Sequence, residues 1–141
     1  MGLFGNKTVT LFNCAFDEET EAESYFMTVL KGVDLVEKTG SNVTKDGMNS
    51  TDSAKLYISI TGMDKTYIPP MEWSRLPDEE KKTYFTFWPT RDFFVKGDCT
   101  GATLPNEKLY EWMRNNFDDV YKVTTVDKYE DVLPHFEVGG V

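Results

Sequence analysis

Residues 54–60 read Ala-Lys-Leu-Tyr-Ile-Ser-Ile, and this stretch decides the fold class. Its small and aliphatic residues fall at every second position: Ala54, Leu56, Ile58 and Ile60. Alternation with a period of two is typical of a strand that buries one face and exposes the other. The pattern therefore predicts a β-strand in a sheet with one solvated side.

The residues before this strand predict an antiparallel hairpin. Residues 8–16 are β-branched and aromatic, and the acidic stretch 17–23 connects them to a second predicted strand at 24–31. Gly32 permits a bend or a bulge. Residues 33–37 are then either a third strand or the far side of a bulged second strand.

The residues after this strand predict several more short strands. Residues 91–97 form a strand that ends in a glycine turn. Another strand covers 120–126 and is followed by a turn at 127–131. Residues 134–138 form a terminal strand, and the Gly-Gly-Val sequence at 139–141 predicts a frayed end.

Two helical segments interrupt the strands. Pro77 and the acidic residues after it predict a single helical turn. A longer helix is predicted at about 105–117, where Leu109, Trp112 and Met113 share one face.

These elements predict a mainly β protein, a small antiparallel β-barrel or sandwich with one inserted α-helix at about 105–117. Strands and helices do not alternate, which argues against a parallel sheet. The chain of 141 residues fits a single domain over 1–141 and is long enough to bury a core.

Residues 39–53 are the longest weakly apolar stretch, rich in Gly, Asn, Ser and Asp. This composition predicts a long loop, and a loop of that length in a compact domain is often functional or disordered. We expect Asn42, Lys45 and Asn49 at or near its tip, where they would contact a partner or the interior of a channel. An unengaged surface loop is the alternative.

A Pro-rich aromatic segment at 67–76 contains Tyr67 and Trp73. Its two prolines exclude a central strand. Aromatic residues near prolines often form contact surfaces, so these two residues are candidates for interaction. Core filling under an irregular connection is the other interpretation.

Composition argues against several classes of function. With 24 acidic and 15 basic residues, the formal net charge of −9 would repel a nucleic acid wrapped on the surface. No apolar run approaches the ~20 residues of a membrane span. Cys14 and Cys99 are isolated and are expected to be free thiols, although the two could form a disulfide. With His135 as the single histidine, we expect no catalytic, cofactor or metal site.

The order of segments along the chain resembles a known family. The segments are 9–13 (VTLFN), 25–33 (YFMTVLKGV), 40–47 (GSNVTKDG), 54–58 (AKLYI), 67–73 (YIPPMEW), 94–97 (FVKG), 123–127 (VTTVD) and 135–140 (HFEVGG). They resemble small structural proteins of tailed phages and prophages of Gram-positive bacteria, and in particular the head-completion, or stopper, proteins of the head–tail connector.

This resemblance implies a small β-barrel that assembles as a homo-oligomeric ring between the portal or its adaptor and the tail. The partners would be those connector and tail proteins. Genomic DNA would pass nearby without sequence-specific binding. The protein would be made in the host bacterial cytoplasm and located in the neck of the virion. Another virion component (a tail terminator, tail tube or minor capsid protein) and a non-virion phage accessory protein are the alternatives.

Overall fold

The computed structural model describes residues 5–17, 19–38, 41–44, 47–50, 53–59, 65–105, 107–131 and 133–141, with only the backbone described for 41–44 and 47–50. In chain order the elements are β1 (Lys7–Asp17), β2 (Ala22–Lys38), β3 (Ser41–Thr44), β4 (Gly47–Ser50), β5 (Ser53–Ser59), β6 (Thr66–Tyr67), α1 (Pro70–Ser74), α2 (Asp78–Lys81), β7 (Tyr84–Phe85), β8 (Phe93–Lys96), α3 (Leu109–Asn116), β9 (Val120–Tyr129) and β10 (His135–Gly140).

Six strands close into an antiparallel barrel in the order β1-β2-β5-β10-β9-β8. The mainly β prediction is confirmed, and the barrel is the correct one of its two architectures. Two further pairs lie outside the barrel: β3 with β4, antiparallel, and β6 with β7, parallel over two residues.

The long strand β2 joins two neighbours of the barrel. It pairs with β1 through residues 22–33 and with β5 through residues 34–38. The register shifts between Lys7 and Thr8, opposite Gly32, whose φ is +70°. Glycine adopts this left-handed conformation without a Cβ clash, so Gly32 is the extra residue of a bulge that bends the strand. Residues 33–37 are therefore the far side of a bulged second strand.

The barrel buries side chains on both faces of its wall. Val9 and Leu11 of β1 point into the barrel interior together with residues of the other strands. Phe12, the residue after Leu11, points outward and stacks on Phe93 with ring centres 4.7 Å apart. Helix α3 covers this outer cluster with Leu109 and Met113, which explains the apolar face of the helix.

The helix is shorter than the sequence predicts. It covers Leu109–Asn116, not 105–117, because Lys108 has a left-handed backbone with φ of +52° that no helix can include. The Pro and Glu that suggest a start at 105 precede this break. Two very short helices, α1 and α2, accompany it, and α2 contains the predicted helical turn.

The C-terminal end of the described chain is well ordered in the sheet, so the predicted frayed end is wrong. Gly139 and Gly140 belong to β10, and Val141 exchanges backbone hydrogen bonds of 2.9 and 3.0 Å with Lys122. A Cβ added to Gly140 would lie 2.9 Å from Cβ of Tyr121 and 3.0 Å from the ring of Phe94. These glycines permit close packing rather than flexibility.

The predicted turn at 127–131 is also wrong in its first half, because β9 continues to Tyr129.

Replacing Gly140 by alanine should overpack the barrel. We expect Gly140→Ala to lower the free energy of unfolding by roughly 1–3 kcal/mol, measured by urea denaturation. Gly101→Ala is the matched control, since no atom lies within 4 Å of the Cβ it would add. Its effect should stay within about 0.5 kcal/mol. Equal stability of the two variants would contradict the close packing at Gly140.

Candidate interaction surfaces

The described part of the segment predicted as a long loop is a pair of antiparallel strands, β3 and β4. Lys38 pairs with Ser53 at the end of the β2–β5 ladder, and Ser41 then pairs with Ser50 in β3 and β4. Two residues outside the described part of the chain separate these pairs on each side. The prediction of a loop at 39–53 is wrong for residues 41–44 and 47–50, which pair as strands, and for Ser53, which begins β5. Residues 39–40, 45–46 and 51–52 lie outside the described residues.

This hairpin, here called the arm (residues 41–50), extends past the barrel. The last pairs that neighbouring strands add are Gly140 with Ala54 and Lys7 with Val33. Beyond them, β3 and β4 pair with each other in a sheet of two strands. At about 3.3 Å per residue, four paired residues make the described arm roughly 13 Å long.

Two of the predicted contact residues in the arm are directly opposite each other. Asn42 and Asn49 are cross-strand partners. Lys45 lies outside the described residues, in the sequence between Thr44 of β3 and Gly47 of β4. This pair is one away from Val43–Met48 and two from the end of the described ladder. The contact of Asn42 and Asn49 with a partner stays a prediction.

Charged hydrogen bonds fix the base of the arm to the barrel. Glu37, one residue before the end of β2, accepts a hydrogen bond of 2.6 Å from the Tyr121 hydroxyl and pairs with Lys96 Nζ at 2.9 Å. Partial burial opposes ionisation of Glu37, but the hydrogen bonds from Tyr121 and Lys96 outweigh it and lower its pKa. Since these partners lie on β9 and β8, Glu37 ties three strands together where the arm begins.

The other end of the barrel is closed by residues 65–92, here called the cap. Strand β5 begins beside the arm and ends where the chain leads towards the cap, so arm and cap lie at opposite ends. Tyr67, Phe85 and Phe87 of the cap pack on Phe136, with Tyr67 and Phe136 ring centres 4.5 Å apart. Burial raises the pKa of Tyr67.

Both candidate aromatic residues of the cap serve the core. Trp73 is only 1% exposed and meets Phe26 edge-on at 5.6 Å, and Lys81 lies over its ring. Tyr67 is half-buried in the aromatic cluster. Of the two interpretations, a contact surface and core filling, core filling describes the positions of Trp73 and Tyr67.

A buried polar cluster joins the cap to β1. Asp92 accepts hydrogen bonds of 2.8 Å each from the backbone N–H of Cys14, the backbone N–H of Trp88 and the side chain of Asn13. Asn13 also donates to the Thr86 carbonyl at 2.6 Å and accepts from the Thr86 N–H. Burial raises the pKa of Asp92 to about 6, and these donors oppose the shift.

The residues with potential for catalysis are dispersed. His135 is half-buried in β10, where its hydrogen bond with Glu137 at 2.9 Å raises its pKa. Cys14 and Cys99 are buried free thiols, as expected, and burial raises the pKa of Cys14. Within the described ranges, no group of three or more His, Cys, Asp or Glu side chains could hold a metal ion. No helix in this part of the chain is long and apolar enough to cross a membrane.

The chain belongs to a family of unknown function. The matching family model is described as "Family of unknown function (DUF6751)" and covers residues 4–141. No curated protein and no solved structure matches the sequence. In this DUF6751 member, the features that bear on function are therefore the arm, the cap and the charges around them.

Sequence patterns did not identify the buried polar cluster that joins the cap to β1. Asn13 lies in a run of strand-forming residues and Asp92 in an Arg-Asp pair, 79 positions apart, with no motif to connect them. A weak signal exists in Asn13 itself, because a polar residue at an inward position of a strand needs a buried partner.

Removing the Asn13 side chain should weaken this cluster in a pH-dependent way. We expect Asn13→Ala to lower the free energy of unfolding by roughly 2–3 kcal/mol at neutral pH, since a buried carboxylate loses a donor. The folded-state pKa of Asp92 lies above its unfolded value, so its contribution to stability falls as pH rises through about 6. Losing the donor should raise that pKa further and make the deficit larger at pH 7.5 than at pH 5.

The measurements are urea denaturation at both pH values and NMR titration of the Asp92 carboxyl carbon. Asn115→Ala, at an exposed position of α3, is the control and should change stability by less than about 0.5 kcal/mol. A deficit for Asn13→Ala that does not depend on pH would refute the role given to Asp92.

Proposed function

We propose that this protein is a structural subunit of tailed phages, a head–tail connector of the head-completion (stopper) type that acts by binding and not by catalysis. It forms a ring between the portal or adaptor and the tail, in the neck of the virion. The observation that carries the proposal is the arm: a two-stranded antiparallel sheet between β2 and β5 in the chain, at one end of a closed barrel. The resemblance in segment order supports the same reading.

The two ends of the barrel suit a subunit that joins two different neighbours. The arm leaves one end, where Glu37 fixes its base through Tyr121 and Lys96. The cap closes the other end with a different surface. A protein held between two unlike rings needs two unlike ends, because each ring presents its own contact surface.

The acidic charge is concentrated at the cap end. Residues 17–23, from the end of β1 to the start of β2, contain five carboxylates and no base. Residues 127–131, from the end of β9 onward, contain three carboxylates and one lysine. Strands β1 and β9 run in the same direction because each is antiparallel to β8, so both stretches lie at this end. Negative charge of this kind repels DNA and would let it pass a channel without adhering.

Shortening the arm tests this function. Deleting residues 42–43 and 48–49 removes two residues from each strand, so the register, the facing of the strands and the turn residues are retained. The fold should persist because the barrel is untouched. In the phage that encodes the protein, we expect the shortened arm to give particles that lose DNA or fail to join tails, counted by electron microscopy.

The paired substitution Asn42→Ala with Asn49→Ala is the length-matched control. If these particles join tails and the shortened ones do not, the reach of the arm matters more than its amide side chains. Normal particles with the shortened arm would eliminate the role of the arm. Absence of the protein from purified particles would eliminate the virion assignment and favour an accessory protein.

A further inference from the structure

A groove lies beside the free edge of β1 at the cap end. Strand β8 pairs with β1 only from Val9 to Phe12, so residues 13–17 have no strand partner on that side. Helices α1 and α2 and the turn at 88–91 form the opposite wall. The groove has a volume of about 530 Å³.

This groove is rich in arginine in a strongly acidic protein. Arg75 and Arg91 line it, together with the carboxylate of Glu23 on the β1–β2 side. The Arg91 guanidinium lies over the Trp88 ring, 4.2 Å from its centre, which positions the group without neutralising it. No salt bridge engages either arginine among the described residues.

Exposed apolar side chains flank the same groove. Phe16 of β1 is 49% exposed, and Met71 of α1 is 56% exposed. Large hydrophobic side chains that remain accessible beside unpaired charges are typical of a docking surface. We call Phe16, Met71, Arg75, Trp88 and Arg91 the arginine groove.

The end of β9 and the residues that follow it have the complementary chemistry. Tyr129 and Leu133 are 47% and 57% exposed. Asp127 and Asp131 are exposed carboxylates between and beside them, and Glu130 is already paired with Lys128 at 2.9 Å. We call Asp127, Tyr129, Asp131 and Leu133 the acidic tip.

We propose that the acidic tip of one copy of this chain docks in the arginine groove of the next copy, an inference that rests on the ring proposed above. The two patches share no residue, as a head-to-tail contact requires. Because β1 and β9 run in the same direction, both patches lie at the cap end and can meet between neighbours at one level of a ring. Two partly exposed charge pairs and two apolar anchors make a weak contact, so the ring closes on a neighbouring ring and the free protein associates only at high concentration.

Charge reversal tests the contact. The groove variant is Arg75→Glu with Arg91→Glu, the tip variant is Asp127→Lys with Asp131→Lys, and the third variant combines all four changes. The fourfold variant keeps the formal net charge of −9, because two arginines become acidic and two aspartates become basic. Sedimentation velocity up to about 1 mM measures self-association, and circular dichroism verifies folding.

We expect the wild type to associate weakly, each twofold variant to associate at least tenfold more weakly, and the fourfold variant to recover wild-type association. The tip variant is the sharpest comparison, since its smaller net charge would strengthen association if overall repulsion governed it. The proposal fails if the tip variant associates as well as the wild type, if the fourfold variant does not recover, or if the wild type stays monomeric at 1 mM.

A second readout needs no variant. On dilution of labelled wild-type protein from about 1 mM, amide chemical shifts should change at the arginine groove and the acidic tip, and shifts confined to other surfaces would overturn the contact. If these experiments exclude the contact, the connector function is still supported when the protein is present in particles and required for joining tails. Conversely, association through these patches by a protein absent from particles would support the contact and remove the connector function.

Discussion

The continuity of β2 is the constraint on which the rest of the structure depends. One strand of 17 residues pairs first with β1 and then with β5, and the bulge at Gly32 lets it bend between them. Without that bend, the β1–β2 hairpin would remain a flat ribbon and the barrel would not close. The same strand ends at Lys38, three residues before the arm begins.

The second constraint on the structure is the buried polar cluster of Asn13 and Asp92 at the cap end. Strand β8 is short, so the barrel wall would be open beside residues 13–17 of β1. Asp92 and Asn13 bridge this opening by satisfying backbone groups that no strand partner reaches. Buried polar groups with all their partners specify one arrangement, and here they hold the cap against the barrel. The arginine groove is the part of this opening, beside β1, that the Asn13–Asp92 bridge does not fill.

Arm and cap give the barrel two unlike ends, and the acidic charge distinguishes them further. The lateral contact and the axial contacts proposed for the ring use different residues: the groove and tip between copies, the arm towards a neighbouring ring. Separation of this kind leaves isolated subunits only weakly associated, because the acidic surfaces repel one another and no single contact is large. A neighbouring ring that contacts the arm would supply the remaining contacts.

The sequence by itself determined the alternating strand at 54–59, the β1–β2 hairpin and the apolar face of α3. These features follow from local periodicity and composition, which depend only on residues close together in the sequence. Only the tertiary structure decided that residues 41–50 are a ribbon, that Gly139 and Gly140 pack tightly and that Trp73 is in the core. For Gly140 and Trp73 the deciding partners are distant along the chain: the ring of Phe94 with Cβ of Tyr121, and the ring of Phe26. A glycine or asparagine looks the same in a loop as in a strand until the neighbour that it accommodates is in place.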